Sequence, residues 1–442
     1  MAQPTRIALV NLCMDVYPHQ LTDGVVQALA EHLGTDIELT DIGKAYTMRQ
    51  AARAVGRARG RRPDLVVLLI GTWIDASLAI TAIKELGNAP WMIWTLPMLD
   101  GISTGSLVAF AVVKGTLERM GAQLEWAYGK PEEVAESIRE RAARASLISW
   151  LREARLGLFG YAAMGMYTAT FDHVAVKDKL GPEVVHFDNY ALVRQMAAVD
   201  EKRVDRAVEE QSGRWTLGDP ACEAPMRRAM RMYLALKRFA ADEQLDALTI
   251  KCQHEISRSW GCGCLALSLL ADEGVPVTCE GDVHGTITGM MMHRLTGAHP
   301  FFADFINAAD NSVWFSSCGF IPFSLTQGDI ALQPQIHEIG EEGVTCSAVP
   351  LTGAVTVARL EADGAGGYRM HITDGDAQEG HRRPYEDERG RREIFPIVRV
   401  GLSEHSGDFL RRVLANHYLI SYRPCSTQLA ALCRDLGISL VT

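Results

Sequence analysis

The chain has 442 residues, 48% apolar and 22% charged, with a net charge of −10. That length exceeds what a single hydrophobic core organises, so two or three domains are expected. The acidic balance disfavours nucleic acid or an anionic membrane as partner. No apolar run approaches the ~18 residues needed to cross a bilayer. The start, "MAQPTRIALVNLCMD", lacks a basic segment followed by a long apolar one, so a cytoplasmic protein with reduced thiols is expected.

From Thr5 the sequence alternates strand and helix patterns. "TRIALVN", "DLVVLLIG" and "WMIWTL" are continuous apolar runs of the kind found in strands covered on both faces. Between them lie the amphipathic stretches "LTDGVVQALAEHLG" and "YTMRQAARAVGRARG". A long helix, "KPEEVAESIRERAARASLISWLREA", leads out of this first domain, 1–150.

The pattern restarts at Arg155. "RLGLFG", "EVVHFD", "ALTIKC" and "VPVTCE" read as strands. "FDHVAVKDKLG" and "LALSLLADEG" read as helices. The second domain is thus 151–296, and both α/β parts are expected to be doubly wound, Rossmann- or flavodoxin-like parallel sheets. Beyond it, "AVTVARLEA", "GYRMHIT" and "FPIVRVG" are β-rich with turns between them, so 297–442 should be a mainly antiparallel third domain. The charged stretch 376–393 reads as a solvated loop, and "STQLAALCRDLG" as a helix stopped by Gly437.

Several sites are excluded by absence. There is no GxxxxGK[ST], no GxGxxG after the first strand and no GxSxG. Cys262 and Cys264 form a CxC with Cys252 and Cys279 nearby, but no CxxC pair exists. Buried free thiols are the better reading than a zinc module.

The chemistry concentrates between Val277 and Phe305. Glu280 ends an apolar strand just before a helix, and Asp304 follows the apolar run "PFFA". Ligands of open α/β sheets gather at the carboxyl ends of strands, and two such carboxylates can converge on a hard divalent cation. The alternatives are that Asp282 caps the following helix or supports the ligands from behind, where Asn would serve equally, and that Asp304 is an ion-paired core residue. Of the thirteen histidines, His284 stands four residues after Glu280, at one-helix-face spacing. His293 and His299 follow, each more often structural. His417 is different, since it precedes a short strand with Asn416 beside it.

The segment "CEGDVHGTITGMMMHRLTGAHPFFADF" resembles the metal site of the L-fucose isomerase and L-arabinose isomerase superfamily, closest to the fucose isomerase-like branch. Glu280 and Asp304 stand 24 positions apart, with "LTG" between them, and Asn416-His417 matches that family's late ligand. The resemblance implies a metal-dependent aldose–ketose isomerase working through a cis-enediol. Glu280, Asp304 and His417 would hold Mn²⁺, with Mg²⁺ or Co²⁺ as alternatives, and the two carboxylates would also move the proton. It assigns sugar contacts to Gln253, Asn416 and Trp73, and implies a homo-oligomer, a trimer or hexamer. This chain lacks the arabinose isomerase Glu/Glu/His/His set, and Cys318 receives no role. His19, Lys251 and Arg258 lie near candidate strand ends and keep an acidic sugar open. A non-catalytic sugar-binding protein, or an epimerase or lyase using the same site, remain the alternatives.

Overall fold

The computed structural model describes residues 4–122, 124–335, 343–381, 383–388, 390 and 392–441. The chain divides into two compact units, Met1–Ser149 and Trp150–Thr442. The expected second and third domains therefore lie together in one unit. Helix Pro131–Glu153 contains the boundary.

In the first unit five parallel strands run in the order Ile37–Ala45, Thr5–Leu12, Leu65–Ile70, Trp91–Thr95 and Trp126–Tyr128. The continuous apolar runs follow from double coverage. Ala8, Val10, Leu12, Val66, Leu68 and Ile70 pack with helices Met48–Gly60, Ala76–Leu86 and Ser106–Arg119. The alternate residues Ile7, Leu9, Leu65, Val67 and Leu69 pack with helices Val25–Leu33 and Pro131–Glu153. A strand buried on both faces has no polar side to alternate with.

The second unit joins a parallel sheet to an antiparallel barrel. The sheet order is Val277–Cys279, Ala247–Ile250, Arg155–Phe159 and Glu183–Phe187. The barrel strands run Gly353–Ala362, His417–Ser421, Phe301–Ala309, Ser312–Ser316, Ile397–Leu402 and Tyr368–Glu379. The last pairs back onto the first and closes the ring. Helix Val283–Thr296 lies between, packed on strands of both. Its residues 283–292 are all buried, which explains its lack of a polar face.

Two local expectations are corrected. The helix expected from Phe171 is a short turn of helix, His173–Ala175, running into a π-helical turn at Val176–Leu180. The stretch 376–393 is not simply a loop. Asp376–Glu379 complete a barrel strand whose Ala377 is buried, and Tyr385–Glu386 pair with Arg392–Glu393. Ladder pairing with strand Ile397–Leu402 holds a sequence too polar to announce a strand. Residues 382, 389 and 391 fall outside the described residues. Among the described residues no helix is long and apolar enough to cross a membrane.

Candidate active site and metal centre

Glu280 stands where the parallel sheet ends. Its N–H donates to the Ile250 carbonyl at 2.8 Å, and its own carbonyl accepts from the Ala163 N–H at 3.0 Å. Glu280 and Gly281 both adopt left-handed backbone, φ +68 and +70. Glycine is required at 281, because a Cβ there would lie 2.2 Å from the Tyr161 carbonyl oxygen. A glutamate at positive φ costs on the order of 1 kcal/mol or more. That strain turns the carboxylate inward before the helix begins at Val283, so Glu280 and His284 do not share a helix face. His284 instead sets its Nδ1 3.0 Å from Glu361 Oε1.

Asp304 and His417 arrive from the barrel. They are directly opposite residues on neighbouring antiparallel strands, a position that puts side chains on one face about 5 Å apart at Cβ. His417 Nε2 lies 3.3 Å from Glu280 Oε2 and 3.4 Å from Asp304 Oδ1. The three donors lie within 4.8 Å of one another. Side-chain exposure falls from 35% at Asp304 to 6% at Glu280 and 1% at His417, so the trio opens toward solvent on the Asp304 side.

Behind the trio lies a buried ionic chain. Asp282 caps helix Val283–Thr296 by accepting from the Gly285 N–H at 2.8 Å. The same carboxylate accepts from His417 Nδ1 at 2.9 Å and pairs with Arg359. Arg359 is fully buried and also donates to Glu361 at 2.9 Å and to the Thr168 carbonyl at 2.9 Å. With Nδ1–H committed to Asp282, Nε2 is the nitrogen turned toward Glu280 and Asp304; it has no well-formed hydrogen bond among the described residues and would present its lone pair to a cation that displaces its proton. A carboxylate fixing the far nitrogen of an imidazole is how metal-ligating histidines are oriented.

The electrostatics show unmet demand for positive charge. Arg359 pairs with Asp282 and Glu361, whereas among the described residues Glu280 and Asp304 have only His417 beside them as a basic group. Burial pushes the Glu280 carboxyl up to about 7, against the pull of His417. Burial also raises Asp304, opposed by His417 and by Asn416. Burial would lower His417, but Glu280 and Asp282 overcome it and lift the imidazole to about 10. Asp282 is held well below the usual carboxylate range because Arg359 and His417 outweigh its burial. Two oxygens and one imidazole nitrogen in an electron-rich pocket suit a hard or borderline divalent cation.

The other sequence candidates fall into three groups. Asn416 is at the trio, but its amide nitrogen donates to Asp304 Oδ1 at 2.9 Å and to Met166 Sδ at 3.3 Å, so it positions a carboxylate. Gln253 and Lys251 follow strand Ala247–Ile250, next to the strand that delivers Glu280. Gln253 is 2% exposed, and neither end of its amide has a hydrogen-bond partner among the described residues. Lys251 pairs with Glu255 at 2.6 Å and lies over the Tyr161 ring at 5.7 Å. Arg258 sits nearby on helix Glu255–Ser259 and is exposed. Trp73 and His19 belong to the first unit, beyond the carboxyl ends of its strands. The His19 ring meets Tyr46 Oη at 3.4 Å and Gln20 Nε2 at 3.1 Å.

Sequence reasoning missed Arg359, the loop Tyr161–Met166 and the pairing of Asp282 with Arg359. A lone arginine in the apolar frame of "AVTVARLEA" was the available signal, since a charge in a buried strand demands a partner.

No family model matches the chain. Among curated proteins it is similar to sulfoquinovose isomerase of Alkalicoccus urumqiensis, 25% identical over 326 residues, covering 71% of this chain and 72% of that one. Sulfoquinovose isomerase of Priestia aryabhattai is 23% identical over 330 residues, 72% of this chain and 73% of that one. Among solved structures, a ligand-free substrate-binding protein with adhesive properties from Clostridium difficile is 13% identical and covers 69% of this chain and 79% of that chain. Its TM-score is 0.18.

Proposed function

We propose that the chain is a divalent-metal-dependent aldose–ketose isomerase acting on an acidic sugar, with sulfoquinovose the first substrate to test. The observation that carries the metal-dependent part is the convergence of Glu280, Asp304 and His417 from three separate segments, with His417 Nε2 turned toward both carboxylates and Nδ1 tied to Asp282. The sugar comes from the curated relatives, which are sulfoquinovose isomerases.

Glu280, Asp304 and His417 would hold the cation, with Mn²⁺ the preferred ion. When bound, it would supply Lewis-acid polarisation of the sugar carbonyl and offset charge on the enediolate. The chain's own groups do the rest. Isomerisation moves a proton between C1 and C2 through a cis-enediol, and a carboxylate within reach must take that proton and return it. Glu280 is the buried candidate and Asp304 the one facing solvent. Asn416 fixes Asp304 for that work. Gln253, with an unpartnered amide, is suited to a sugar hydroxyl. Lys251, which lies over the Tyr161 ring, is the cation we assign to an acidic group, once released from Glu255. A homo-oligomer acting in the cytoplasm belongs to the same reading.

The test is metal content by elemental analysis together with exchange of the C2 proton of sulfoquinovose in deuterated water. Bound divalent metal, exchange and a ketose product support the reading. A protein that binds the sugar without exchange, with or without Mn²⁺, would instead be a binding protein. Exchange with an epimer or a cleaved product would assign the site to another reaction.

A further inference from the structure

Glu280 is flanked by sulfur as well as by oxygen and nitrogen donors. Cys279 precedes it at the strand end, and Cys318 lies in the loop after strand Ser312–Ser316. The two Sγ atoms and a Glu280 carboxylate oxygen lie within 4.8 Å of one another. Tetrahedral zinc with Zn–S bonds of about 2.3 Å sets its sulfur ligands about 3.8 Å apart, so only a small contraction is needed.

Both thiols are held in place. The Cys279 thiol is in hydrogen-bonding contact with those of Cys252 and Cys318. Ser317 Oγ donates to the Phe320 carbonyl at 2.6 Å, and the Gly319 carbonyl accepts from the Cys346 N–H at 3.0 Å. Gly319 adopts φ +115, and a Cβ there would approach Thr345 to 2.4 Å, so the loop carrying Cys318 is pressed against its neighbour. Of the ten cysteines, none is in a disulfide, and Cys318 alone is not buried. It lines one small pocket together with Cys279, Glu280 and Asp304. Glu280 is thus shared between an oxygen and nitrogen set, with Asp304 and His417, and a sulfur set, with Cys279 and Cys318.

We propose that Cys279, Cys318 and Glu280 form a second cation site, selective for thiophilic ions such as Zn²⁺ and Cd²⁺, that competes for Glu280 with the site shared by Asp304 and His417. Binding displaces one proton from each thiol, and each thiolate donates an electron pair to the ion. Soft thiolates favour these ions, whereas Mn²⁺ and Mg²⁺ favour the oxygen-rich side. The consequence, which rests on the isomerase reading, is inhibition by thiophilic metal. Glu280 drawn toward sulfur is lost both as a ligand and as a base.

The test uses the full chain stripped of metal and titrated with Cd²⁺, followed by the ultraviolet thiolate-to-cadmium charge-transfer band. A saturable band with one ion per chain is expected. Saturating Mn²⁺ should shift the titration to higher Cd²⁺. Cys279→Ser and Cys318→Ser should each lose the band, while His417→Ala should keep it and lose the protection by Mn²⁺. The cadmium NMR signal of the wild type, which requires no variant, should report a two-sulfur shell. A band that survives removal of both cysteines, a three- or four-sulfur shell, or a titration unmoved by Mn²⁺ would each overturn the proposal. None of these readouts requires turnover. A protein that passes them yet isomerises no sugar keeps the ion site and loses the catalytic reading.

Discussion

Asp282 and His417, 135 positions apart in sequence, meet at 2.9 Å between a carboxylate oxygen and Nδ1. The aspartate thereby performs three tasks at once. It caps a helix, neutralises Arg359 and holds Nδ1–H of His417 so that Nε2 faces Glu280 and Asp304. The sequence suggested that Asn could replace it, and for the cap alone that holds. For the other two tasks it does not. Asp282→Asn removes the charge opposite Arg359 and weakens the hold on Nδ1–H of His417. We expect metal affinity to fall about 10–100-fold, as for loss of a carboxylate behind a ligating histidine. Stability should fall by about 3 kcal/mol, as for breaking a buried ion pair. Metal titration and urea unfolding measure the two effects. An Asn variant with unchanged affinity would show that Asp282 serves only the helix.

Glu280→Gln tests the base separately from the fold. The amide keeps the size and one coordinating oxygen but has no charge and cannot take a proton. Mn²⁺ should bind more weakly, and C2 proton exchange should vanish even at saturating metal. His417→Ala should weaken Mn²⁺ more than it harms proton transfer, so excess Mn²⁺ should restore part of the exchange. Near-normal exchange by metal-loaded Glu280→Gln would remove Glu280 as the base.

The contrast between these two carboxylates shows what a sequence carries. Glu280 and Asp304 were legible because each interrupts an apolar run, and a charge in such a frame needs a partner. The strand runs that deliver them were legible for the same reason, as was the change from parallel to antiparallel grammar after the second sheet. Barrel closure was not, because it depends on strand Tyr368–Glu379 pairing with both Gly353–Ala362 and Ile397–Leu402. The chain from His417 through Asp282 and Arg359 to Glu361 was hidden too. Each member has an adequate local role, and only the packing of helix Val283–Thr296 against the barrel joins them.

Gln253 offers a prediction with opposite signs. Its side chain is buried with both amide ends unpartnered among the described residues, and an unsatisfied buried polar group costs ~1–3 kcal/mol. Gln253→Met keeps the volume and removes the polar atoms. The metal-free protein should gain about 1 kcal/mol in urea unfolding, while the KM for the sugar rises. A variant with lower stability and unchanged KM would mean that Gln253 belongs to the packing of the sheet and does not meet substrate.

Acid sensitivity should trace to two buried histidines away from the trio. His299 Nε2 accepts from the Val277 N–H at 2.9 Å, and its Nδ1 faces the Pro300 carbonyl at 2.6 Å. Both contacts are satisfied when the ring is neutral with its proton on Nδ1, and protonation of Nε2 would break the first. Burial pushes His299 down to about 4, and burial likewise pushes His371 down to about 4. An unfolded histidine titrates near 6.5. Between these values the unfolded chain binds more protons than the folded one. Stability is therefore complete above about pH 6.5 and is lost as pH falls toward about 4. Each histidine should account for about 2–3 kcal/mol of that loss by about pH 4.5. His299→Gln removes one titration, and its amide can still accept from Val277 and donate to Pro300. Urea unfolding of the metal-free proteins at several pH values in this window should show a shallower loss for His299→Gln than for wild type. Equal slopes would show that His299 gains no proton on unfolding. The N–H it holds opens strand Val277–Cys279, so its protonation would loosen the strand that ends at Glu280.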